Sequence, residues 1–151
     1  MTQIIMKKVV TLLALSAMTF TAGAQSDMMH ESVHKPVESL SWFATGIGPM
    51  QAAVAYGDMN KGGHGTFLKM PKGFTSPVHM HTHEYHAVVI SGTIVNSEVG
   101  KPDIKMLPGS YWFQVGNVKH VTKCVSDSGC TVFLSQPENF DFIPEEMTGK
   151  K

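Results

Sequence analysis

The sequence predicts an all-β fold, a sandwich or barrel, on three observations. Short apolar runs recur at regular spacing from residue 52 onward, the stretches between them are rich in turn-forming residues, and no long amphipathic helical segment alternates with them. A parallel α/β sheet would need such helices as crossovers, so that class is disfavoured.

Residues 25–39 are polar and without period, and they read as a lead-in or one short helix starting at Ser32. Strands are expected at 52–56, before the turn residues Gly57-Asp58 and Lys61-Gly62-Gly63, and at 66–70, which stops at Pro71. The run 88–95 follows as one strand with Gly92 inside it. Further strands are expected at 104–107, over the aromatic run Tyr111-Trp112-Phe113, and at 118–125, 131–135 and 140–143. The aromatic run suits a barrel wall or a dimer face.

Ahead of these elements, Lys7 and Lys8 precede an uncharged apolar run over 9–20, and Ala22-Gly23-Ala24 gives the small-x-small pattern of a signal-peptidase site. Crossing a bilayer takes about 20 apolar residues, so this run reads as a cleaved signal and not as an anchor. Cleavage after Ala24 would release a periplasmic or secreted protein with no membrane span and enough chain for one domain.

Leaving out Lys7 and Lys8, ten lysines face twelve acidic residues, with no basic run and no arginine in the chain. Nucleic acid is therefore not an expected partner, and phosphorylated substrates lose their usual bidentate fork. Cys124 and Cys130 flank the turn-rich Val-Ser-Asp-Ser-Gly; an exported protein with that spacing favours a disulfide across a hairpin over two buried thiols.

Four of the eight histidines fall between His79 and His86. In an extended segment, positions i and i+2 face the same way, so His79 and His81 can reach one ion. His30, His34 and His64 lie in polar segments and are expected to be solvated.

Gly73, His79, His81, position 85 and Gly92 follow the spacing of the first cupin motif, and Gly109, Val115, Asn117 and His120 follow that of the second. The chain therefore resembles the cupin superfamily. Tyr85 with Val88-Val89-Ile90-Ser91-Gly92, and Pro108-Gly109-Ser110-Tyr111-Trp112, are similar to the cupin-like family known as a domain of unknown function. The second motif more often has proline at position 115 and glycine at 117, so its turn must be made differently here. The resemblance implies a double-stranded β-helix, a jelly-roll-like barrel whose histidines face inward and bind a divalent metal. The expected organisation is signal peptide 1–24, N-terminal lead-in and first strand 25–51, cupin domain 52–143 and C-terminal tail 144–151. Such barrels often pair through edge strands, which admits a homodimer.

Metal-binding cupins usually carry glutamate where Tyr85 stands. The resemblance then implies His79, His81 and His120 as ligands, with Tyr85 a weak ligand or proton donor; Tyr85 as a packed aromatic is the alternative. Glu84 reaches inward only if it lies in the turn before the strand. His83 and His86 are expected at the surface or supporting the ligands. Three neutral imidazoles suit Fe(II), Zn, Cu or Ni better than Mn. Met28-Met29-His30 and Met80 keep a copper reading open, and the other methionines read as core.

The expected function is a metal-dependent enzyme, an oxygenase acting on a small oxygen-chelating organic molecule, by analogy with three-histidine thiol and diketone-cleaving dioxygenases. The alternative is a non-catalytic protein that binds metal or a small ligand. A metal-free sugar epimerase is a third reading, weakened by the absence of arginine.

Overall fold

Among the residues that the computed structural model describes, 31–145, strand and turn chemistry yields one 3₁₀ turn, Val37–Ser39, and eleven strands. All but the first three of these residues belong to one compact unit. The expected signal peptide and residues 146–151 of the expected tail lie outside the described residues. No described helix is long and apolar enough to cross a membrane.

The strands are β1 (Phe43–Ala44), β2 (Gln51–Gly57), β3 (His64–Met70), β4 (His79–Met80), β5 (Tyr85–Ser91), β6 (Ile94–Glu98), β7 (Lys105–Met106), β8 (Tyr111–Gln114), β9 (His120–Cys124), β10 (Cys130–Gln136) and β11 (Ile143–Pro144). They form two antiparallel sheets, ordered β1-β2-β3-β10-β5-β8 and β11-β4-β9-β6-β7. From β3 onward nearly every turn carries the chain to the opposite sheet. That winding makes the expected double-stranded barrel.

The single strand expected over 88–95 is two strands, one in each sheet. Gly92 makes the break: its φ is +79°, and a Cβ there would lie 2.3 Å from the Gly129 carbonyl oxygen. The apolar run is unbroken because Val89 is buried in one sheet and Ile94 in the other. The strand expected over 140–143 shrinks to Ile143–Pro144, because Phe140 and Phe142 turn inward to pack on the core. Only the 3₁₀ turn answers to the expected helix.

Met70, Val89 and Val132 from the larger sheet and Ile94, Met106 and Cys124 from the smaller one share a single core. Burying a large aliphatic side chain contributes about 1.5–3 kcal/mol, so this shared core is what holds the sheets face to face. A polar bridge adds direction: Thr122 Oγ1 donates to Asn96 Oδ1 at 2.7 Å, and Asn96 Nδ2 donates to Gln114 Oε1 at 2.8 Å, joining β9 and β6 to β8.

Cys124 and Cys130 form a disulfide with Cα atoms 5.8 Å apart. It does not span a hairpin. Cys124 ends β9 and Cys130 begins β10, which belong to different sheets, so the bond ties the two walls together at a corner.

His64 departs from expectation, being 1% exposed. The ladder starts two residues earlier than the apolar run suggests, because His64 pairs with both Gly57 and Gln136. Its Nδ1 lies 2.8 Å from Thr66 Oγ1.

Candidate metal centre

His79 opens β4 and His120 opens β9, and the two residues are directly opposite each other in the antiparallel pairing. His81 follows one residue beyond β4. The three rings meet, with centroids 4.2 Å apart for His79 and His120, 4.9 Å for His79 and His81, and 5.2 Å for His81 and His120. One ligand atom from each lies within 4.8 Å of the others, and all three residues are buried.

The surroundings choose which nitrogen is offered. Nδ1 of His79 lies 2.9 Å from the Pro77 carbonyl, Nδ1 of His120 lies 2.9 Å from the Val118 carbonyl, and Nδ1 of His81 lies 2.5 Å from the Asp141 carbonyl. A carbonyl only accepts, so each Nδ1 carries its proton and each Nε2 keeps a lone pair. His120 Nε2 is buried without a hydrogen-bond partner, although buried polar atoms are normally satisfied. A metal ion would satisfy it. The donor set thus fits a divalent ion that accepts nitrogen ligands.

Burial holds the rings neutral. It takes His79 down to about 3, helped by the neighbouring His120, and takes His120 down to about 4; it lowers His81 too, against the opposing bond to Asp141. An unfolded chain protonates these histidines near the ordinary imidazole value of 6.5. Between that pH and the folded values the unfolded state binds more protons, so acidification destabilises the metal-free fold. Unfolding midpoints of metal-stripped protein should fall steadily from about pH 7 to about pH 4.5, and less so in a His79→Ala/His120→Ala variant. A flat profile would show that these imidazoles are not buried.

Tyr85 opens β5 on the opposite sheet and is 5% exposed, its ring centroid 5.3 Å from His81 and 6.5 Å from His120. Burial pushes its hydroxyl up to about 12, so the phenol stays protonated. Phe142 stacks on His79 at 4.3 Å and Phe140 lies 5.2 Å from His81. Leu68, Met70, Trp112, Val132 and Leu134 supply the facing wall of an apolar cavity, which leaves about 40 Å³ for the centres of water molecules. That is room for a few waters or a small organic group.

Glu84 lies just before β5 and is exposed, outside the ligand cluster. His83 is half-buried, and its carbonyl accepts a bond from Gln136 Nε2 at 3.4 Å. His86 faces outward, with Nδ1 2.7 Å from the Tyr111 hydroxyl and its ring against Phe113. Met80 does not line the cavity, and Met28, Met29 and His30 lie outside the described residues.

The turn of the second motif is made by Asn117 itself, at φ +59°. Asparagine tolerates this left-handed conformation better than most residues. Its backbone N–H donates to the His81 carbonyl at 2.7 Å, and Nδ2 donates to the Thr82 carbonyl at 3.2 Å. Gly116 permits the approach, since a Cβ there would lie 2.5 Å from the Thr82 carbonyl oxygen.

Sequence reasoning missed the roles of Asp141, Phe140, Phe142 and Ser76. The Ser76 hydroxyl accepts from Thr122 N at 3.0 Å and lies 3.3 Å from His79 Nδ1. Phe140 and Phe142 alternate in the chain with the polar Asp141, a pattern that signals one inward face.

The family described as Domain of unknown function (DUF4437) matches residues 40–143. Among curated proteins nothing matches. Among solved structures the chain is similar to the polyketide cyclase RemF from Streptomyces resistomycificus (14% identity, 78% of this chain and 86% of that one, TM-score 0.63). It is similar also to the DMSP lyase DddQ from Ruegeria pomeroyi (16%, 75% and 64%, 0.61) and to an RmlC-like cupin from Shewanella frigidimarina (20%, 70% and 92%, 0.56). At such identities the likeness establishes the cupin fold.

Proposed function

We propose that this chain, which belongs to the DUF4437 family and has the cupin fold, is a metal-dependent enzyme that acts on a small organic molecule chelating through enolate or carboxylate oxygens, with oxygenase chemistry as its reaction. The observation that carries this reading is a cluster of three neutral imidazoles, with no carboxylate among the described residues that form it, two of which, His79 and His81, line an apolar cavity. A store or carrier of metal needs no such cavity. A divalent ion held by His79, His81 and His120 would keep its charge and open positions, supplying Lewis-acid attraction for a substrate anion and, for a redox ion such as Fe(II), reactivity toward dioxygen.

The chain's own residues do the rest. Phe140, Phe142, Leu68 and Leu134 exclude water, which strengthens every polar contact inside. The Tyr85 hydroxyl, protonated well beyond neutral pH, donates a hydrogen bond to a substrate oxygen and serves as an acid, not a base. That proton donor also favours a second reading, a non-oxidative cyclisation such as the name polyketide cyclase denotes for one of the similar structures. Export belongs to the same proposal, resting on the pattern at 7–24 and compatible with the disulfide.

Dioxygen uptake by Fe(II)-loaded protein, followed with a panel of diketones, thiols and phenols, tests the reading. Uptake that depends on substrate and falls by about 10²–10⁴ in Tyr85→Phe is the expected result. Turnover without uptake would select the non-oxidative reading, and no turnover with any substrate would leave a binding protein.

A further inference from the structure

The three imidazoles are not held alike. His79 and His120 each have Nδ1 against a carbonyl two residues earlier in the chain, Pro77 and Val118. His81 has its Nδ1 against the carbonyl of Asp141, 60 residues away. Its ring orientation therefore depends on a segment that is not part of its own strand.

That segment, 137–145, is a strap laid along the cavity. Phe140 N donates to the Met59 carbonyl at 2.7 Å, Ile143 and Pro144 pair with Met80 and His79, and Glu145 N donates to the Val78 carbonyl at 2.9 Å. Between these anchors the Asp141 carboxylate grips the residue after the ligand: Oδ1 accepts from Thr82 N at 2.8 Å and Oδ2 accepts from the Thr82 hydroxyl. The same strap delivers the rings of Phe140 and Phe142 onto His81 and His79. β11 is an edge strand whose neighbour is β4, and β4 in turn meets β9 through the single pair His79–His120.

We infer that the 137–145 strap positions the third ligand, with Asp141 as the positioning residue, so that strap docking and occupancy of the His79–His81–His120 site form one coupled equilibrium. When the strap lifts, His81 loses its Nδ1 acceptor and two rings leave the cavity together, opening a path for ion and substrate. Coupling of this kind is reciprocal: an ion that needs the docked strap must also hold it down. The inference rests on the metal-site reading given above and adds to it a gate and the residue that latches it.

Zinc is the probe, with affinity measured by chelator competition and strap opening by amide hydrogen exchange over 137–145. In the unaltered protein zinc should slow exchange in the strap. Asp141→Ala keeps the carbonyl that faces His81 but removes the carboxylate that latches the strap to Thr82; it should weaken zinc binding about 10–100-fold, the range for disturbing the outer support of a ligand. Thr82→Val, which removes only the hydroxyl contact, should weaken it several-fold and decides the matter if Asp141→Ala does not fold. Ile94→Val lowers stability from the buried core without touching strap or ligands, and should leave zinc affinity unchanged; a merely structural clamp would make all three variants alike in this respect. Wild-type affinity in folded Asp141→Ala and Thr82→Val, or strap exchange indifferent to zinc, would overturn the coupling while leaving the site intact. Failure of the unaltered protein to bind zinc, iron, copper or nickel would instead remove the metal site and this inference with it.

Discussion

Alanine at His79, His81 or His120 will lower the metal content of the purified protein from about one ion per chain to less than about a tenth, since a stable site of this type needs at least three protein ligands. Among the described residues no further histidine, cysteine or carboxylate stands in the cluster to replace a lost imidazole. Glu84 is exposed and outside the cluster, and Tyr85, with its proton held to about 12, is a poor anionic ligand. Elemental analysis of the three variants beside the unaltered protein gives the answer, with circular dichroism to confirm that each is folded. His120→Ala is the most telling. Its Nε2 is buried without a hydrogen-bond partner, so the effect on metal should be complete while the unpaired polar group itself is removed. A full complement of metal in all three variants would place the site elsewhere.

Loss of the Cys124–Cys130 bond will lower stability by about 2–4 kcal/mol and the melting temperature by about 10 °C. Loop entropy alone gives roughly 2 kcal/mol for so short a ring. The larger figure reflects where the bond sits. Both sulfurs are buried in the shared core, and the bond joins the end of a strand in one sheet to the start of a strand in the other. A Cys124→Ala/Cys130→Ala variant and reduction of the unaltered protein should lower the midpoint alike. Thermal unfolding with and without reductant measures this, and an unchanged midpoint in both would mean that the corner is held by packing alone.

The strand pattern and the pairing of His79 with His81 were legible in the sequence because both are periodic and local. Alternation places His79 and His81 on one face, and the resemblance to the second cupin motif brings in His120, which the fold places in the same cluster. What escaped the reading was non-local. The break at Gly92 looks like the middle of a strand, since apolar residues flank it whichever sheet they enter. His64 looks solvated by its neighbours, Lys61-Gly62-Gly63, yet the ladder with Gln136 carries it inside. Asp141 gives no sign of its role, because its backbone carbonyl makes the decisive contact, and a carbonyl is common to every residue. The disulfide was legible as a pair and not as a tie between walls, because spacing shows the distance along the chain and not the sheet each end joins.

The candidate ligands all lie on or beside β4 and β9, while Tyr85, Leu68, Met70, Val132, Leu134 and Trp112 come from the facing sheet. On the proposed reading an ion would be held by one sheet, while much of the wall that an organic molecule would touch, Phe140 and Phe142 apart, belongs to the other. If the proposed metal site holds, a lineage built this way would be free to exchange one organic ligand for another by drift in β3, β5, β8 and β10 while the three histidines are inherited intact. It can equally abandon the ion and keep the shape of the cavity. One scaffold can then diversify along two independent axes of selection.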